Sequence, residues 1–359
     1  MKRKLIFSLF CLIHYFVSAQ TPSNDLNWQL KWEDNFHALN TNIWEVYDHF
    51  DHWGNPYSIS LSRNVYLNND TLVLRAKSEC YCCPLDPNYI NEYWCKHQWL
   101  TSDCYQYTDG NVKSKPAYDT KFGYFEAKIK MTYRKGVYYA FWTFRGGHSQ
   151  YVNASEIDIF ETCGIAPNTL TTNVHTCYPD DDPNCIKPYL LQINTFPNLD
   201  YTTWHIYAVE WDANRIIWYL DGKPFRTLEN KNLDNYGNSV IDSSQIKLGN
   251  AIPYPDKLVP PYNTAPFEEY MYVDYVKVYQ LKCDKNTVVT QIPNFNTYNY
   301  KVNKLISLNS TTVIPPNSNI TLRATDYIEL TNGFEVPLGS ELYLDVSPCE
   351  MALSIRQKE

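Results

Sequence analysis

Ser155-Glu156-Ile157-Asp158-Ile159-Phe160-Glu161 sets three carboxylates within six residues and separates them with β-branched and aromatic side chains. That composition reads as a strand. Strand side chains alternate between faces, so Glu156 and Asp158 share one face while Ile157 and Ile159 point into a core. Strict alternation would send Glu161 into the same core, because it lies five residues from Glu156. One extra residue near Ile159-Phe160, a β-bulge, returns it to the carboxylate face, and bulges of this kind occur beside active sites, where they re-aim a side chain. Three crowded acids cannot all ionise easily, so repulsion raises the pKa of one of them. The strand then offers one carboxylate nucleophile and one protonated acid, the pair that splits a glycosidic bond with retention. An exposed edge strand carrying solvated acids is the alternative, and the flanking sequence weighs against it.

Upstream stand Phe122-Gly123-Tyr124-Phe125-Glu126-Ala127-Lys128 and Ala140-Phe141-Trp142. Downstream follow Trp204-His205-Ile206-Tyr207-Ala208-Val209-Glu210-Trp211, the hairpin Trp218-Tyr219-Leu220-Asp221-Gly222-Lys223, and Met271-Tyr272-Val273-Asp274-Tyr275-Val276-Lys277-Val278-Tyr279. Together with the acidic strand, these blocks resemble glycoside hydrolase family sixteen over roughly residues 28 to 281. The resemblance implies an all-β, concanavalin-like β-jelly-roll sandwich whose bent concave sheet carries a cleft. It implies Glu156 as nucleophile, Glu161 as general acid/base, and Asp158 between them, orienting or tuning the nucleophile. His175, in Thr172-Asn173-Val174-His175, falls on the next strand and is expected to hydrogen-bond Glu161, as a histidine in this region does in many relatives. Trp142 is expected to stack on sugar, because a flat apolar ring suits the axial C–H face of a pyranose; core packing is the alternative. Asn64 and Trp211 are further cleft candidates. Asp274 matches a position that binds a structural calcium in many relatives, which keeps such an ion open, although one carboxylate is little for a hard cation. Catalysis itself requires no cofactor or metal.

Strand-like segments dominate elsewhere, among them Thr71 to Ala76, Tyr124 to Met131, Ile206 to Trp211 and Ile216 to Leu220, and no long helical periodicity appears. Two antiparallel sheets packed face to face suit a domain of about 250 residues. The stretch Cys80 to Cys104, rich in Tyr, Trp and Pro, interrupts that pattern as a long loop. It reads either as a wall of the cleft, with Tyr93, Trp94 or Trp99 on sugars, or as a surface patch held by disulfides.

Met1 to Gln20 has the basic start, apolar stretch and terminal Ser18-Ala19 of a secretory signal peptide, and its apolar run is too short to span a membrane. Three positive charges leave with it, taking the formal net charge from −8 to −11. An acidic chain without a basic stripe argues against nucleic acid as a partner and makes a neutral polysaccharide more natural than a densely sulfated one. Eleven cysteines become ten in the exported form, so disulfides are the default, with Cys283 and Cys349 a plausible pair and the pairing of the other eight not readable. A zinc cluster at Cys80-Tyr81-Cys82-Cys83 is disfavoured by export.

The domains expected are a signal peptide at 1–20, a catalytic domain at 21–282, and a linker with a small β-rich accessory domain at 283–359. The segment Thr325 to Val336 resembles short β-stack modules of secreted Bacteroidetes-like proteins. The resulting expectation is a secreted or cell-surface, endo-acting retaining β-glycosidase of a polysaccharide, foremost a β-1,3-type glucan. Algal galactan (agar, porphyran or carrageenan) is the nearest alternative substrate. A non-catalytic carbohydrate-binding protein on the same sandwich is the alternative from another class. Sequence leaves the oligomeric state open.

Overall fold

The computed structural model describes residues 28–50, 57–81, 105–134, 136–144, 156–162, 167–175, 190–211, 215–229, 243–252, 267–281, 288–289, 301–302, 305–317, 319–324 and 326–346. Its strands begin with β1 (Trp28–Asp34), β2 (Trp44–Val46), β3 (Ser58–Ser60), β4 (Val65–Leu67), β5 (Leu72–Tyr81), β6 (Tyr105–Asp109), β7 (Asn111–Ser114) and β8 (Gly123–Met131). Then come β9 (Tyr138–Phe144), β10 (Glu156–Thr162), β11 (Thr169–His175), β12 (Gln192–Thr195), β13 (His205–Trp211), β14 (Arg215–Leu220), β15 (Lys223–Glu229), β16 (Gln245–Ala251) and β17 (Glu268–Leu281). The last are β18 (Val288–Val289), β19 (Lys301–Val302), β20 (Leu305–Leu308), β21 (Asn319–Ala324), β22 (Tyr327–Leu330) and β23 (Glu341–Val346). The strands expected near residues 72, 124, 206 and 216 are β5, β8, β13 and β14.

The first seventeen strands form two sheets. One has ten strands, with the path β15-β14-β13-β8-β17-β5-β6-β3 and with β1 and β4 paired to β17 and β5. The other has seven, in the order β12-β11-β10-β9-β16-β7-β2. Alternation of side chains explains how they meet. In β8, Phe125, Ala127, Ile129 and Met131 are buried with Phe141 of β9 and Ile157, Ile159 and Phe160 of β10 in one core. The members of this cluster are hydrophobic, and each large aliphatic or Phe side chain fully buried contributes roughly 1.5–3 kcal/mol through area removed from water.

The chain crosses from the first sheet to the second at Asp109-Gly110-Asn111, between β6 and β7. Leaving both ladders there creates orphaned polar groups, and a buried network satisfies them. Ser60 Oγ donates to Asp109 Oδ1 at 2.6 Å, Asn111 Nδ2 donates to the same oxygen at 2.8 Å, and the Gly110 N–H donates to Asn250 Oδ1 at 3.1 Å. Ser58 bonds the other carboxylate oxygen. Gly110 is required by close approach: a Cβ there would stand 2.4 Å from the carbonyl oxygen of Asn64 and 3.1 Å from the backbone nitrogen of Arg75. Gly110→Ala is therefore expected to lower the unfolding free energy by about 1–3 kcal/mol, read from the urea midpoint at unchanged slope.

The C-terminal strands pair in parallel, as β18-β20-β22 and β19-β21-β23. Leu305 aligns with Tyr327 and Asn319 with Glu341, an offset of 22 residues in both sheets. The offset brings like residues together, Ile306 on Ile328, Leu308 on Leu330 and Ile320 on Leu342. This is a stack of rungs with its own core of Ile306, Leu308, Ile314, Ile320, Leu322 and Ala324. The turn residues Asn317 and Gly339, also 22 apart, both have positive φ, 55° and 82°.

Cys80 lies at an exposed position on β5. The other cysteines, the expected signal peptide, and Tyr93, Trp94 and Trp99 lie outside the described residues. No helix among the described residues is long and apolar enough to cross a membrane.

Candidate active site

The bulge expected from the acidic motif is present in β10. Against β9, Glu156 faces Phe144, Asp158 faces Trp142, and Glu161 faces Ala140. Against β11, the same three face His175, Asn173 and Thr171. Three steps along β10 from Asp158 to Glu161 thus match two steps on each neighbour, and the irregularity against β9 falls between Asp158 and Phe160. All three carboxylates consequently stand on one face of the seven-stranded sheet, while Ile157, Ile159 and Phe160 are buried on the other.

A bulge displaces a carbonyl from its ladder, and here a side chain takes it up. The indole Nε1–H of Trp218, reaching across the core from β14, donates to the Asp158 carbonyl oxygen at 2.9 Å. Arg226 lies over the Trp218 ring at 4.3 Å and donates to Thr172 Oγ1 of β11 at 2.8 Å. Trp218 thus ties the opposite sheet to the strand that carries the acids, and Arg226 ties it to β11 beside that strand. Trp218→Phe leaves that carbonyl buried without its donor. The expected result is a loss of about 1–3 kcal/mol in denaturant unfolding, together with a lower kcat as the bulge relaxes.

Crowding governs the electrostatics. Glu156, Asp158 and His175 each bring one polar atom to within 4.8 Å of the others. Two negative charges at that separation repel by about 3 kcal/mol at an effective dielectric near 20, far above thermal energy. Burial and the Asp158 charge push the Glu156 carboxyl well above the usual carboxylate range. Burial and the Glu161 charge do the same to Asp158, whose side chain is wholly buried. Burial also raises Glu161, while the hydrogen bond it accepts from Tyr138 Oη opposes the rise. Neither carboxylate oxygen of Asp158 has a hydrogen bond of ordinary geometry among the described residues. The cluster thus favours protonated carboxyls more than an exposed site would.

His175 does not take the expected place. Its Nε2 lies 3.5 Å from both Glu156 Oε1 and Asp158 Oδ2 and accepts from Asn173 Nδ2 at 2.9 Å. The side-chain partner of Glu161 is Tyr138 instead. Register explains the difference, because His175 lies directly opposite Glu156, and Glu161 is displaced to Thr171. Trp142 is half-buried on the carboxylate face, opposite Asp158, with Lys247 Nζ 4.4 Å from its ring centre.

Asn64 and Trp211 are not brought to this face. Asn64 is wholly buried near the Asp109 corner, donating to Thr108 Oγ1 at 2.9 Å and accepting from Arg75 Nε at 3.0 Å. Trp211 is 1% exposed, in the core with Phe125 and edge-on to Phe122. Both expectations are corrected by burial, since neither side chain is open to a ligand.

Asp274 occupies the irregularity in β17 between Val273 and Tyr275, and its carboxylate accepts from Lys128 Nζ at 2.8 Å. An ammonium paired with this carboxylate competes with a cation for it. Glu156, Asp158 and His175 have a spacing that elsewhere can hold a cation, but Lys247 and Arg226 already supply positive charge to this cluster. We do not assign it as a metal site.

Sequence reading missed Tyr138, Lys247, Trp218 and Arg226 as parts of the site. Tyr138 was within reach, because it lies four residues before Trp142 on one strand and so shares its face. Lys247 carried a weaker signal, a lone charge inside the apolar run Ile246-Lys247-Leu248. Trp218 and Arg226 come from the opposite sheet, and no local pattern announces them.

The family model for glycosyl hydrolases family 16 matches residues 57–251, more than half of the chain. The clotting factor G alpha subunit of Tachypleus tridentatus is 26% identical over 287 residues, covering 77% of this chain and 38% of that protein. Glucan endo-1,3-beta-glucosidase A1 of Niallia circulans is 26% identical over 234 residues, covering 60% of this chain and 32% of that protein. This chain therefore spans about a third of the length of these curated relatives. The catalytic domain of an endo-1,3-beta-glucanase (laminarinase) from Thermotoga petrophila RKU-1 superposes with a TM-score of 0.58 at 25% identity, covering 71% of this chain and 98% of that one.

Proposed function

The chain belongs to glycosyl hydrolases family 16, and from that premise we propose that it is a secreted, endo-acting, retaining β-glycosidase of a β-1,3-linked glucan. The observation that carries the reading is the bulged strand β10, with Glu156, Asp158 and Glu161 on one face. The names of the Niallia and Thermotoga relatives support the substrate class. The basic, then apolar, first twenty residues support export.

In this reading Glu161 protonates the glycosidic oxygen as Glu156 attacks the anomeric carbon, so the leaving sugar departs with the proton and a glycosyl ester forms on Glu156. Glu161, now ionised, takes a proton from water, and the resulting attack on the anomeric carbon releases the sugar and restores both carboxyls. Asp158 bears on the nucleophile through its charge. Tyr138 holds Glu161 in place through its hydroxyl. Trp142 offers its ring to a sugar beside the acids. The scheme needs no cofactor.

The substrate is tested by mass spectrometry of oligosaccharides released from laminarin, mixed-linkage glucan, agarose, porphyran and carrageenan. Products of several sizes from laminarin early in the digest support an endo-β-1,3-glucanase. Products only from a galactan would overturn the glucan assignment and keep the enzyme. Binding without products from any of the five would replace the enzyme with a carbohydrate-binding protein.

A further inference from the structure

We propose that Lys247 is a positioning residue that acts through Glu156, its ammonium holding that carboxylate ionised amid two other acids. The inference rests on the reading of Glu156 as nucleophile and names the group that sets its charge. Lys247 lies on β16, opposite Trp142, and Trp142 in turn lies opposite Asp158. Its Nζ is 4.4 Å from the ring centre of Trp142 and 4.4 Å from that of Phe144, the residue opposite Glu156. The ammonium therefore hangs over β9, between the two side chains that face Glu156 and Asp158, and β10 is the next strand.

Burial makes this charge effective. Lys247 is only 6% exposed, and charges interact more strongly away from water. Burial lowers its own pKa to about 8, with the Glu156 charge opposing the fall, so it stays charged below that pH. Among the other charged or titratable groups, Asp158 and Glu161 on β10 raise Glu156, while His175 on β11, 3.5 Å away, also favours its charged form and acts alongside Lys247. Tyr138 on β9 is engaged with Glu161, and Arg226 bears on Asp158. Lys113 on β7 pairs with Glu45 of β2 at 3.0 Å. An enzyme of this class needs one carboxyl charged and another protonated in the same crowd, and a fixed cation on one side of the cluster breaks the symmetry between them.

Lys247→Met keeps the length and apolar packing and removes the charge. The expected result is a rise of about one pH unit in the acid limb of kcat/KM. That corresponds to about a tenfold loss below the limb, with KM little changed, and Lys247→Arg restores the limb. An unmoved limb would overturn the proposal. A measurement independent of activity keeps the test open if the Met variant unfolds or the parent hydrolyses nothing. In the full chain with 13C-labelled lysine, NMR titration of Lys247 should show its pKa falling in Glu156→Gln, because the coupling is reciprocal. No change in that titration would overturn the inference whatever the substrate proves to be. A fall in an inactive parent would uphold the coupling and reject the enzyme.

Discussion

Glu156→Gln is expected to reduce hydrolysis of the glucan by roughly 10⁴-fold or more while leaving the protein folded. The amide is nearly isosteric with the carboxylate but cannot form the glycosyl ester, so kcat bears the loss and polysaccharide binding persists. Stability should be unchanged or raised, because the substitution removes one of two charges brought within 4.8 Å of each other. An unfolded variant would point to a structural role, and a folded, active one would reject the nucleophile. The smaller Glu156→Ala leaves space for azide. With an activated aryl β-glycoside that variant should regain turnover and yield the α-glycosyl azide, the product of a single displacement.

Glu161→Ala carries the second large effect, and it should differ between substrates. Cleavage of the polysaccharide needs a proton on the leaving oxygen, so its rate should fall about 10²–10⁴-fold. An aryl glycoside with a dinitrophenolate leaving group needs no such proton, and its first step should be nearly unaffected. Azide should then yield the β-glycosyl azide, opposite in configuration to the Glu156→Ala product. The pH profile gives an independent sign. Burial raises the Glu161 carboxyl, so it keeps its proton to higher pH than an ordinary carboxyl and loses it as the pH rises further. Parent activity should fall on the alkaline side as that proton leaves, and the variant should lack this limb.

What was legible in the chain followed from local rules. The alternation of Glu156, Asp158 and the isoleucines located the acidic strand, and the misplaced Glu161 demanded an extra residue, which the register of β10 against β9 and β11 supplies. Strands at β5, β8, β13 and β14 could be placed because apolar and polar residues alternate along them or form short buried runs. Two expectations, for Asn64 and Asp274, turned on contacts between residues far apart in the chain. Asn64 was expected in the cleft, but it is consumed by the corner at which the chain changes sheets. Trp211 ends an inward-facing series with Tyr207 and Val209, and this alternation alone pointed to the core. Asp274 meets an ammonium from β8, a partner nearly 150 residues away that no local pattern reveals. The alternation of Ile320, Leu322 and Ala324 marked one rung of the C-terminal stack, β21, but the 22-residue repeat becomes plain only from the parallel pairing of its strands.

The most direct test of the central claim, that the bulged strand carries a covalent nucleophile beside its proton donor, is to trap the intermediate. A 2-deoxy-2-fluoro-β-laminaribioside with a dinitrophenyl leaving group slows the second step more than the first. The account predicts stoichiometric inactivation, a mass increase of one fluoroglycosyl unit, and a label mapped to Glu156 in the proteolytic peptide. A label on Asp158 or Glu161, or continued turnover without any label, would contradict it.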